Sequence, residues 1–189
     1  GTLCLPFEVS LDGQNFRAFE LLSADERTNT IELEEVNTTI PAGTPVFIKM
    51  NDGVNLLNFS VENKEIAKEV RTGATDDGSY QLVGIYATKM FDKDKDNNCY
   101  ILKNGKLMNP AKILSGTSTE AVGSKPFRAY MVDNSSSASG AKMFSISENG
   151  STPTGIDQLT DILNDSNAVY YDLQGHRLSQ PQKGINILK

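Results

Sequence analysis

The sequence has no tryptophan, a single histidine and only two cysteines in 189 residues. Each shortage removes a class of explanation. General acid–base and triad chemistry usually recruits histidine, and the one candidate, His176, sits just after an exposed "DLQG" turn. A disulfide framework needs more than Cys4 and Cys99, and a thiolate or imidazole metal site needs more soft ligands. The reading preferred for the two cysteines is a pair of buried thiols, with one Cys4–Cys99 bridge left open. No apolar run approaches the roughly 18 residues of a membrane-spanning helix. Neither G-x-x-x-x-G-K-[ST] nor a G-x-G-x-x-G opening a helix occurs, which disfavours nucleotide cofactors, and no G-x-S-x-G elbow is present. Blocks of like charge are also missing. The net charge of -6 is spread along the chain, so neither nucleic acid nor an anionic membrane surface is an expected partner.

What the chain does have is alternation. Apolar side chains recur at every second position in "FRAFELL" (16–22), "NTIELEEV" (29–36), "PVFIKM" (45–50), "NLLNFSV" (55–61), "PFRAYMV" (126–132) and "KMFSIS" (142–147). That is the period of a strand with one buried face. In "TLCLPFEV" the alternation puts Leu3, Leu5 and Phe7 on one face and Cys4 on the other. "YQLVGIYATKM" (80–90) is apolar on both faces and reads as a long central strand, with Gly84 marking a bulge or a close approach. "CYILKNGKLM" (99–108) is a hairpin around Asn104-Gly105, the strongest local turn signal present. "NKEIAKEVR" (63–71) fits a helical turn or an edge strand equally well. "GIDQLTDILNDS" places Ile156, Leu159, Ile162 and Leu163 at helical spacing and is the one expected helix.

These elements predict an all-β protein: a two-sheet antiparallel β-sandwich, Ig-like or jelly-roll-like, over residues 1–150. Residues 151–189 are read as a short helix followed by a small β-meander. In that tail Asp172 and Gly175 suit the first and fourth positions of a type I turn. Val169, Tyr171 and Leu173 share a strand face, and Pro181 and Gly184 shape a second turn.

Two groups of residues invite a chemical reading. Asp92, Asp94 and Asp96 alternate like the start of a calcium loop. The glycine and glutamate that such a loop requires at its sixth and twelfth positions are here Asn97 and Lys103, so a solvated tip is the better reading and the three aspartates are a weak metal candidate only. The six tyrosines offer stacking surface for a saccharide. Most of them fall inside alternating strands. A carboxylate pair for hydrolysis cannot be picked out by spacing, because acids are everywhere along the chain.

Five short signatures occur in a fixed order: "LCLPF", "AGTP" within "IPAGTPVFIKM", "GIY" within "LVGIYATKM", the Y-x-L-x-x-G hairpin "YILKNG" within "CYILKNGKLM", and "FRAY" within "KPFRAYMV". Together they resemble a module of secreted and surface proteins of Bacteroidetes, with Val46 where that pattern often carries tyrosine. The tail "VYYDLQGHRLSQPQKGINILK" resembles their C-terminal segment, of the form "YDLQGRRV…P…KGIYI". His176 stands where arginine is common and Asn186 where tyrosine is common. The tail is similar to sorting segments of the gliding-associated secretion route, though shorter.

The resemblance implies a non-catalytic extracytoplasmic module with a structural or adhesive role, on the cell surface or secreted, without cofactor. Tyr171, Asp172, Leu173, Gly175, Pro181 and Gly184 are then the sorting-like residues. A signal peptide is expected upstream of Gly1. Expected partners are other domains of the same larger protein and a host or glycan ligand. The alternative reading is a carbohydrate-binding module.

Overall fold

The computed structural model describes residues 1–54, 56–57, 61–92, 94–115, 122–135 and 143–148, and the backbone of three short strands at 170–171, 177–178 and 187–188. The chain divides into two compact units, Gly1–Ser151 and Thr152–Lys189.

Among its described residues, the regular structure of the first unit is all strand apart from one short helix. Its elements are β1 (Thr2–Cys4), β2 (Val9–Ser10), β3 (Phe16–Asp25), β4 (Thr30–Val36), β5 (Thr39–Ile40), β6 (Pro45–Met50), β7 (Thr72–Ala74), β8 (Tyr80–Ile85), β9 (Lys89–Phe91), β10 (Cys99–Lys103), β11 (Lys106–Met108), α1 (Pro110–Ser115), β12 (Val122–Ser124), β13 (Arg128–Asp133) and β14 (Met143–Glu148). Ten strands form one sheet in the order β1-β6-β3-β4-β14-β11-β10-β13-β8-β7. The pairing is antiparallel except between β4 and β14, which run parallel. The sheet curls on itself, so that β1 at one end comes to lie against β13. Side chains make that closure: Thr2 Oγ1 accepts from the Ala129 N–H at 3.1 Å and donates to the Ala129 carbonyl at 3.1 Å. The Cys4 N–H donates to the Phe127 carbonyl at 3.0 Å. The result is a sandwich-like all-β fold, as the alternation predicts.

Strand parity decides which side chains fill the interior. Phe19 and Leu21 of β3, Ile31 and Leu33 of β4 and Phe47 of β6 point inward. They meet Tyr80, Leu82, Tyr100, Leu107, Met131 and Phe144 from the opposite layer. Tyr80 and Tyr100 both meet the Phe144 ring edge-on, with centroids 5.6 and 5.1 Å away, the arrangement that ring quadrupoles favour. The even positions of the same strands, Phe16, Ala18, Val46 and Ile48, form a second cluster on the outer face with Leu3, Val9 and Ile40. The two-residue strands β2 and β5 pair with each other and contribute Val9 and Ile40 to that outer cluster. Leu3 joins this cluster and Leu5 and Phe7 pack against it, while Cys4 faces the other way, as the alternation requires.

Departures from the sequence reading have local causes. The apolar run 80–90 is two strands, β8 and β9, because the chain bends at Ile85-Tyr86-Ala87 and β9 leaves to pair with β12. Residues 63–71 form neither helix nor strand. The strand expected over 55–61 falls largely on undescribed residues. Leu57 packs on the outer cluster and Val61 is exposed. Helix α1 was not expected. Asn109 precedes Pro110 there, and an asparagine cap followed by proline at the first helical position is a start signal. The Ile113 N–H donates to the Asn109 carbonyl at 3.1 Å. The Asn104-Gly105 hairpin is as expected, with φ of 51° and 75° at the two turn residues and Lys103 opposite Lys106.

In the second unit β15 (Tyr170–Tyr171), β16 (Arg177–Leu178) and β17 (Ile187–Leu188) form a three-stranded antiparallel sheet in the order β16-β15-β17. The first strand is central, which is not the sequential order of a meander: the third strand returns past the second to pair with the first. The helix expected at 156–164 lies outside the described residues.

Candidate functional site

Four of the five signature segments, spread between Leu3 and Tyr130, meet at one corner of the sandwich. Cys4 is fully buried, with its Sγ 3.4 Å from the Gly43 carbonyl. The Gly43 N–H donates to the Leu5 carbonyl at 2.7 Å, and the Gly43 carbonyl accepts from the Arg71 N–H at 2.7 Å. The Ala67 N–H donates to the Pro6 carbonyl at 2.6 Å, so the irregular segment 61–71 is pinned across this corner. Gly43 has φ of 77°, and a Cβ there would lie 2.7 Å from the Glu69 carbonyl oxygen and 3.1 Å from the Tyr86 hydroxyl. Only glycine satisfies both the backbone sign and the space. At Gly84 a Cβ would overlap the Cys4 sulfur and sit 3.0 Å from its Cβ. The close approach read from the sequence is therefore an approach of β1 to β8.

The exposed part of this corner is aromatic. Phe127 is 43% exposed and has φ of 60°, a left-handed conformation rarely adopted by a bulky side chain. Pro126 precedes it, and proline followed by a positive-φ residue is the type II turn pattern, in which glycine is usual. Phe127 occupies the glycine position. The Tyr86 ring lies beside it, centroids 6.2 Å apart at 45°. Tyr86 is itself held by a hydrogen bond from its hydroxyl to the Glu69 carbonyl at 3.2 Å. Burial raises the pKa of this phenol above its ordinary value, with Cys4 adding to the shift. A groove of about 310 Å³ has Thr2, Leu102, Ser124, Lys125 and Arg128 among its walls; Lys125 and Arg128 flank the Pro126-Phe127 turn in the chain, while the Phe127 and Tyr86 rings stand outside its lining. One Arg128 N–H donates to the Thr2 carbonyl at 2.9 Å.

The other polar clusters are committed to structure. Asp92 accepts from the N–H groups of Asp94 and Lys95 at 2.9 and 3.1 Å, which hold its carboxyl below the usual range. Asp96 accepts from the Asp92 N–H at 2.8 Å and from Lys89 Nζ at 3.1 Å. Burial opposes ionisation of Asp96, but these donors outweigh it and its pKa is lowered. The Lys89 ammonium also lies over the Phe91 and Tyr130 rings, at 4.9 and 5.3 Å. The Asp92 and Asp96 carboxylates thus tie the loop, with Asp94 contributing its backbone N–H. Among the described residues no group of three or more His, Cys, Asp or Glu is placed to hold a metal ion.

At one end of the core Tyr80 donates to Glu26 at 2.7 Å, and Ser135 donates to the same oxygen at 2.9 Å. Elsewhere on the sheet Arg17 pairs with Glu35 and Glu148, and Lys49 with Glu148. Cys4 and Cys99 are both free and buried, and burial pushes each thiol up to about 11. A thiol held protonated at neutral pH is a poor nucleophile.

Of the sorting-like residues, Tyr171 lies in β15 opposite Arg177 and Ile187. Asp172, Leu173, Gly175, Pro181 and Gly184, together with His176, fall outside the described residues. In the sequence Tyr86 is one of six tyrosines and Phe127 one phenylalanine within an alternating run. The available signal was the Pro126-Phe127 pair, a turn dipeptide with an aromatic in place of a glycine.

No family model, no curated protein and no solved structure matches this chain.

Proposed function

We propose that the chain is a non-catalytic extracytoplasmic module of a bacterial cell-surface or secreted protein, with a structural and adhesive role, and that its C-terminal segment serves export or surface attachment. The observation that carries this reading is the convergence of four of the five signature segments. Cys4, Gly43, Gly84 and Phe127 belong to four stretches far apart in sequence, yet each touches or hydrogen-bonds another of the four. The residue types at these positions are then what one packed corner requires, which supports reading the segments as parts of a single module. The tail supports the second half of the proposal. It clusters as its own compact unit, Thr152–Lys189, and its strands pair with one another. A segment folded on itself can be presented to export machinery without unfolding the sandwich.

Deletion of 167–189 tests the assignment of the tail. The truncated protein is expected to keep the thermal midpoint of the sandwich in circular dichroism. Expressed in a Bacteroidetes host behind a standard leader, it is expected to lose surface exposure, read by protease shaving of intact cells. An early-melting truncation whose location is unchanged would make the tail plain structure.

A further inference from the structure

We propose that the Phe127 turn and the groove beside it bind an acidic saccharide, the sugar ring stacking on Phe127 and Tyr86 and its charged group meeting Lys125 and Arg128. This gives the adhesive role a ligand class and rests on that role only for its biological use, since binding by the purified protein is read independently of export.

Four observations lead there. The Phe127 ring is exposed although most of the other aromatic rings among the described residues are buried, and it is offered from a backbone conformation that costs free energy. Strain of that sign at a position where glycine would be relaxed calls for a reason, and the side chain is the only thing glycine lacks. The platform is also rigid: the Phe127 carbonyl is held by the Cys4 N–H and the Tyr86 hydroxyl by the Glu69 carbonyl. A fixed ring loses little entropy when a sugar face lies on it. With no tryptophan in the chain, phenylalanine and tyrosine are the stacking surfaces it has.

The charge of the groove selects among sugars. Lys125 and Arg128 both line it, and among the described residues that line it there is no carboxylate, on a protein whose net charge is -6. Arg128 spends one N–H on Thr2 and keeps further donors of its planar fork for a carboxylate or sulfate. Ser124 adds a hydroxyl at the same wall. A neutral sugar would leave both cations unused. An acidic peptide would use the cations but would not need two ring faces held in place.

The experiment is a glycan array carrying uronate-bearing, sulfated and neutral oligosaccharides, followed by titration with the best-retained oligosaccharide and with polyglutamate. Retention of acidic over neutral glycans is expected, weakening as salt is raised. Phe127→Gly and Phe127→Asn both suit a positive φ. Each is expected to leave the thermal midpoint unchanged or higher while lowering affinity about tenfold or more. Phe127→Tyr should restore it, and Lys125→Gln should weaken it a few-fold. Three results would overturn the assignment: no acidic glycan retained, binding that survives loss of the ring in both variants, or polyglutamate competing on equal terms.

Discussion

The contact between Gly84 and Cys4 gives a prediction whose size can be worked out. Adding a methyl at Gly84 places a carbon inside the volume of the Cys4 sulfur, 3.0 Å from the Cys4 Cβ and 3.6 Å from the Pro45 Cβ. The sulfur has little freedom to retreat. Cys4 is paired with Pro45 in β1–β6, its N–H is bonded to Phe127, and its Sγ contacts the Gly43 carbonyl. Overpacking a core of this kind costs about 1–3 kcal/mol, and the backbone pinning argues for the upper half. Cys4→Ala alone removes one buried atom and should cost about 1 kcal/mol. In the double variant the new methyl enters the space the sulfur leaves, so the pair should lie within about 1 kcal/mol of the native protein. The coupling is then about 2 kcal/mol in the stabilising direction. Urea denaturation followed by circular dichroism reads it. With a slope of about 2 kcal/mol per molar, Gly84→Ala should lower the midpoint by about 1 M and Cys4→Ala should return most of that. A Gly84→Ala midpoint within 0.2 M of native (about 0.4 kcal/mol by the same slope), or strictly additive effects, would mean that β1 does not lie on β8.

Alkaline titration provides a second test. Burial raises the Cys4 and Cys99 thiols from 9.0 to about 11 and the Tyr100 phenol from 10.0 to about 12. The folded state keeps protons that the unfolded chain releases. The stabilisation is therefore complete below pH 9 and is lost as pH rises toward 11 and then 12, by as much as 2–3 kcal/mol for each thiol as an order of magnitude. Urea midpoints should fall between pH 9 and 11, and a Cys4→Ala, Cys99→Ala variant should fall less steeply over that window; equal slopes would refute the burial argument. Calcium gives a third. Asp92 and Asp96 already accept from backbone N–H groups and from Lys89, so millimolar calcium should leave the thermal midpoint unchanged, and a calcium-dependent rise of several degrees would show that those bonds yield to the ion.

What was legible in the sequence was what depends on period two. The parity of Phe16, Ala18, Phe19 and Leu21 sorts them into outer and inner clusters without reference to any other strand, and the Asn104-Gly105 turn is fixed by two residues. The curl of the sheet was not legible. It depends on Thr2 meeting Ala129 across 127 residues and on the parallel pairing of β4 with β14, and alternation carries no signal for which edge finds which. The split of 80–90 escaped for the same reason: both faces of that run are apolar, so periodicity could not show where β8 ends and β9 turns to pair with β12.

The candidate site illustrates the limit more sharply. Aromatic residues inside alternating runs read as core, and for Tyr80, Tyr100 and Phe144 they are. Phe127 opens such a run, and by alternation alone it belongs with Ala129 and Met131, which are buried. It is outside because Pro126 and the positive φ make it the last residue of a turn rather than the first of β13. A side chain that pattern assigns to the core, that the backbone turns outward at a cost, and that a glycine could replace without strain has had its exposure bought by something other than folding. That is why the ring, rather than the aspartates or the thiols, is the place where this sandwich is most expected to touch another molecule.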